Sequence, residues 1–161
     1  MRRFGLLVFG LALSGCASGG NGPVFTEPPP PPSGKVLVYI YRDFNAAFSV
    51  RNAAFYIDDK KFADLLPTDY SYVYVTPGHH LLREHWPYWP GDLALMFQNV
   101  EVPLEAKPGE TYYYRLSTGV GGAGAGLTVE WNLQQVPADQ ARSELAGKHL
   151  APADPKMKDG F

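Results

Sequence analysis

The chain has a single cysteine, Cys16, among its 161 residues. No intrachain disulfide can form, so the folded part has to be held by packing alone. No basic cluster follows Arg3, and the formal charge is -2. Nucleic-acid binding needs a basic face against phosphate, so that class of partner is excluded. The most N-terminal apolar run, Phe4–Leu13, is ten residues long, whereas a helix needs about 20 to cross a hydrocarbon core. There is no GxSxG nucleophile elbow, and no Lys-Ser or Lys-Thr follows a glycine-rich loop. Elbow hydrolases and P-loop nucleotide enzymes are thereby disfavoured. No set of catalytic or cofactor-binding residues emerges from the sequence, so the expectation is a non-enzymatic protein without a cofactor.

What is present begins at the N-terminus. Met1-Arg2-Arg3 is a short positive segment, Phe4–Leu13 is apolar, and Leu13-Ser14-Gly15-Cys16 places small residues before the cysteine. A basic start followed by a short apolar region reads as an export signal. With the terminal Cys16 the segment looks like the lipobox of bacterial lipoproteins. Residues 1–15 are therefore expected to be removed, leaving Cys16 lipidated and N-terminal. Removal takes away Arg2 and Arg3 and no acid, so the charge of -2 becomes -4. Ala17 follows the cysteine where an aspartate would resemble an inner-membrane retention signal. The expected location is the bacterial envelope, anchored by lipid in the outer membrane and facing the periplasm.

Residues 16–34 lack an apolar period and hold Ser18-Gly19-Gly20-Asn21-Gly22 and then Pro28–Pro32. Glycine makes the first part flexible, and five prolines favour a polyproline II spacer of roughly 15 Å. The segment reads as a tether, although proline runs also serve as ligands for aromatic-lined grooves.

From residue 35 to 147 short β-branched and aromatic runs alternate with turn signals. Val36–Tyr41 is apolar on both faces, as in a central strand. Tyr70, Tyr72 and Tyr74 share one face of Tyr70–Thr76, with Ser71, Val73 and Val75 on the other. Asp58-Asp59-Lys60 marks a hairpin, while Thr76-Pro77-Gly78-His79 and Lys107-Pro108-Gly109-Glu110 suit type II turns. Pro103 points to an edge strand in Val100–Glu105. Leu127–Gln134 alternates cleanly between apolar and polar residues. Asp139–Gly147 reads as a helix that Asp139 caps and Gly147 ends. The expectation is an all-β fold, a small antiparallel β-sandwich of about eight short strands with one short C-terminal helix, followed by a disordered tail at 148–161.

Four stretches carry a resemblance. They are Val38-Tyr39-Ile40-Tyr41-Arg42, Tyr56-Ile57-Asp58-Asp59-Lys60-Lys61, Pro77-Gly78-His79-His80-Leu81 and Pro108-Gly109-Glu110-Thr111-Tyr112-Tyr113. Together they resemble the domain-of-unknown-function 2846 family of bacterial lipoproteins, and the PEGA type of surface β-domain. Asp59 departs from the Asp-Gly-Lys that the family more often has in the first hairpin. The resemblance implies an envelope-exposed β-sandwich of unknown activity, and it brings no catalytic residues.

Three features invite a functional reading. Gly119–Gly124 matches GxGxxG, but a β-patterned run follows it where the dinucleotide motif needs a helix, so it reads as a hairpin connection. His79, His80 and His85 lack a thiolate partner, and adjacent strand residues face opposite ways, so no metal is expected. Trp86-Pro87-Tyr88-Trp89-Pro90-Gly91 sets three large aromatics among prolines. Such a loop either covers the end of a sandwich or recognises a partner. Trp86, Tyr88 and Trp89 are the candidate contacts for an envelope protein or glycan. Membrane attachment through Cys16 is the other expected association.

Overall fold

The computed structural model describes residues 20–27, 30–45, 48–49, 51–86, 99–122 and 127–152. Among these the chain is an all-β sandwich with one short helix. The strands are β1 Val36–Arg42, β2 Ala53–Ile57, β3 Lys60–Leu65, β4 Asp69–Val75, β5 Gly78–His85, β6 Val100–Ala106, β7 Thr111–Gly122, β8 Leu127–Gln135 and β9 His149–Leu150, with helix α1 at Ala138–Leu145. One sheet has the order β8-β7-β1-β4-β9 and the other β3-β2-β5-β6.

The apolar run Val36–Tyr41 lies at the centre of the five-stranded sheet, and every residue of β1 is buried. Val36, Val38 and Ile40 face the other sheet, where they meet Phe55, Ile57, Leu82 and Leu104. Leu37, Tyr39 and Tyr41 face outward under α1, with Tyr70, Tyr113, Ala141 and Leu145. The period-2 geometry of a strand thus builds two cores from one segment.

Most pairings are antiparallel, but β1 runs parallel to β7 and β4 parallel to β9. The sheet is therefore mixed. Pro77 and Gly78 do not close a hairpin; they carry the chain from β4 in one sheet to β5 in the other. Lys107–Glu110 does form the expected type II turn: Glu110 N–H donates to Lys107 O at 3.2 Å and Gly109 takes φ 75°. It too changes sheets, from β6 to β7. Pro103 sits in β6, at the sheet edge, as its missing donor requires.

The helix is pinned by its buried face and by Glu144, which accepts from Tyr41 Oη at 2.6 Å and from Arg115 at 2.7 Å. Asp139 does not cap it. Pro137 occupies the cap position without a side-chain bond, and Asp139 lies in the first turn 3.6 Å from Arg142. Gly147 follows the helix at φ 83°, a conformation glycine takes freely. The expected tail boundary at 148 also shifts: Lys148 is buried, and β9 joins the sheet beside β4. Residues 153–161 lie outside the described ones.

Two turns hold side-chain-bearing residues in the left-handed region. Asp58 and Asp59, at φ 47° and 65°, form the tight β2–β3 hairpin, where Asp59 occupies a position that glycine suits. Thr68 is at φ 69° in the turn after Pro67, closed by Asp69 N–H to Leu66 O at 3.1 Å. A β-branched residue is strained there. Thr68→Gly is expected to raise the unfolding free energy by about 1 kcal/mol in denaturant titrations, since the relief exceeds the added chain entropy. A loss of stability would show that the Thr68 side chain contributes more than its backbone costs.

Candidate functional site

Trp86 continues the inward alternation of β5 after Leu82 and Glu84, and it is 1% exposed. Its ring lies 4.3 Å from that of Trp131 and meets Phe48 edge-on at 5.6 Å. The Arg51 and Arg42 guanidinium carbons sit 4.7 and 5.2 Å from its ring centre. Trp86 is therefore core, which removes it from the candidate recognition surface. Tyr88, Trp89 and Cys16 lie outside the described residues.

Around Trp86 the core holds charge. Arg42 is fully buried at the end of β1, and its guanidinium donates to the carbonyls of Arg51, Leu65 (3.2 Å) and Phe48 (3.1 Å). It ties together the segments entering β2 and leaving β3. Burial pulls its pKa down to about 10, so it remains a cation at neutral pH. Glu84 is also fully buried, and its carboxyl has no hydrogen-bond partner among the described residues. Burial pushes its pKa up to about 8, against the pull of Arg42. Glu84 meets no hydrogen-bond partner among the described residues and is closed off from solvent, whereas a general acid or base has to reach the proton it transfers.

The histidines are separated. His79 meets Glu105 at 2.5 Å, His80 meets Asp58 at 2.6 Å and Thr76 O at 2.7 Å, and His85 meets Asn99 at 2.8 Å. Burial works against the Asp58 charge, but bonds from His80 and the Leu81 N–H outweigh it and hold its pKa below the usual range. Among the described residues no three metal-ligating side chains converge. Gly119–Gly122 belongs to β7 and pairs with β8, so this part of the glycine run is strand.

The most unexpected element is the N-terminal segment. Residues 20–27 are docked on the sandwich as a strap. Gly20 N–H donates to Asp69 Oδ1 at 2.6 Å, Leu150 N–H to Pro23 O at 2.9 Å and Phe25 N–H to Lys148 O at 2.8 Å. Val24 bridges His149, so the strap extends the sheet beyond β9. Asp69 is 1% exposed, and burial raises its pKa despite bonds from the Gly20 and Leu66 N–H groups. Gly22 lies so close to the Leu150 carbonyl that a Cβ would collide with it. The Phe25 ring meets Tyr70 at 5.3 Å and Tyr39 at 5.9 Å, both edge-on. Glu27 pairs with Arg142 of α1 at 2.8 Å.

Beyond Glu27, Pro30 and Pro31 border a cleft of about 310 Å³ whose floor includes Tyr39 and Tyr113. These two rings are stacked, 5.0 Å apart and 2° from parallel. The array continues from Tyr39 to Tyr72 at 5.8 Å and on to Tyr74 at 5.9 Å. Tyr72 and Tyr74 are half-buried. The shared face of Tyr70, Tyr72 and Tyr74 is visible in the sequence, whereas its continuation through Tyr39 to Tyr113 appears only in the fold. The apolar pair Val24-Phe25 is the sign in the sequence that the segment docks. Apolar faces of flat tyrosines suit extended, proline-rich or otherwise rigid ligands. The chain matches no family model and no curated protein sequence.

Proposed function

We propose that the chain is a lipoprotein of the bacterial envelope, acylated at Cys16 and held in the outer membrane facing the periplasm. Its sandwich binds a protein or another envelope component and catalyses no reaction. The succession of basic, apolar and lipobox residues along the sequence supports the anchor, as does the resemblance to the domain-of-unknown-function 2846 lipoproteins. The binding reading is carried by one observation: the tyrosine array runs out from under the strap to half-buried Tyr72 and Tyr74. This moves the recognition surface from Trp86 to the outer face of the five-stranded sheet.

A second reading is strand addition to an assembly. It is favoured by β3, the outermost strand of its sheet among the described residues, whereas β6 at the other edge carries Pro103.

Both readings can be tested on the full chain in bacterial cells. A photo-crosslinking residue at Tyr74 is expected to give a discrete adduct, and one at Lys61 in β3 is not. The reverse pattern would favour strand addition. Absence of both adducts would end the binding reading. Intact mass of the same preparation should show a chain starting at Cys16 with added acyl mass. An unmodified N-terminus would refute the anchor.

A further inference from the structure

We propose that the end of the sandwich bearing Gly20, Asn21, Asn52 and Pro152 rests on the headgroup layer of the membrane. The inference rests on the acylation of Cys16. Only residues 17–19 separate that cysteine from Gly20, which is fixed to the buried Asp69 carboxylate. From Cys16 to Gly20 the backbone reaches at most about 14 Å. The headgroup layer on one side of a bilayer is itself about 5–8 Å thick. The docked strap therefore leaves almost no slack. Were residues 17–34 free, the same chain would reach about 60 Å.

Strand register fixes which end this is. Asp69, Tyr70 and Tyr41 lie at one end of the five-stranded sheet, and Val36 pairs with Val75 at the other. In the second sheet Ala53 pairs with Leu65, beside Asn52, at the Asp69 end. Asn52, Leu66, Asp69 and Pro152 border one cleft of about 660 Å³ together with the strap. The opposite end carries Gly78 and Lys107, a seven-residue strand away, which is about 20 Å. Trp86 and Asn99 also lie at the Asp69 end, since Ala54 pairs with His85 and His85 bonds Asn99. The sandwich then stands upright on the bilayer, with the Lys107 turn outermost and the tyrosine array along its flank.

The test uses the acylated full-length protein in phosphatidylcholine vesicles carrying a nitroxide on the lipid headgroup. Acylated Cys16 is a thioether and does not react with thiol probes, so an added cysteine can be labelled selectively. A fluorophore on Asn52→Cys should be quenched at least about threefold more strongly than one on Lys107→Cys. Equal quenching at the two positions overturns the proposal. Inserting about twelve Gly and Ser residues after Ser18 lengthens the leash without touching the docked strap. It should reduce the contrast, and an undiminished contrast would show that the short leash is not what sets the orientation. Mass spectrometry of the same sample separates the two ideas: a chain without acyl mass removes the anchor reading itself.

Discussion

Trp86→Ala is expected to lower the unfolding free energy by about 3–5 kcal/mol, a large share of the 5–15 kcal/mol typical of a domain. The residue is 1% exposed and fills the space between Trp131 and Phe48. Its loss removes apolar contact area and leaves a cavity. It also strips the aromatic face from two guanidinium groups. The neighbourhood cannot collapse easily, because Arg42 is fixed by three backbone carbonyls from segments that would have to move. Denaturant unfolding monitored by tyrosine absorbance would measure the loss. A change under about 1 kcal/mol would mean that Trp86 does not pack as described. Trp86→Phe keeps a ring in the site and should lose markedly less.

The second large effect concerns pH. Unfolded, Glu84 titrates near 4.5, and in the fold burial pushes it up to about 8. Between these values the folded chain holds a proton that the unfolded chain has released. Stability therefore falls as pH rises through this window and levels off above about 8. The difference corresponds to up to about 4–5 kcal/mol for this one carboxyl. Glu84→Gln replaces the buried acid with a neutral side chain of the same shape. The variant is expected to be less pH-dependent and to exceed the parent in stability most at pH 9. Comparing the two chains at each pH cancels the titration of other groups. Parallel pH profiles for parent and variant would show that Glu84 is ionised in the fold at neutral pH, held so by Arg42.

The strands were legible where burial wrote itself into a period. Val36–Tyr41 is apolar on both faces because it has a core on each, and β8 alternates because Val129, Trp131 and Leu133 enter the core while Glu130 and Asn132 face outward. Pro103 marked an edge, and Pro108-Gly109 marked a turn through their fixed backbone preferences. The inward-facing Glu84 was not legible, because a charged side chain reads as solvent-facing until its strand register is known. The two-residue β9 is too short to carry a period. Nor could composition separate a free tether from a docked one. Gly20 and Gly22 read as flexibility, yet Gly22 is required where the backbone passes against the Leu150 carbonyl, and Gly20 lies close against the Asp69 carboxylate. Apart from Tyr39 in nearby β1, the partners of the strap come from β4, α1 and the β9 region, far away along the chain. Trp86 read as a loop aromatic because Pro87 follows it, although it is the last inward position of the β5 alternation.

The strap's bridge from Val24 to His149 joins the beginning of the fold to its end. A chain made from its N-terminus has no β9 for the strap until His149 and Leu150 have been synthesised. The parallel pairing of β1 with β7 likewise waits for Thr111. Contacts that span so much sequence are slow to form. Residues 20–27 therefore dock fully only once β9 is in place. Its docking reports that the rest of the sandwich is complete. Until then the strap has no β9 to lie against, and only the completed sandwich draws it in.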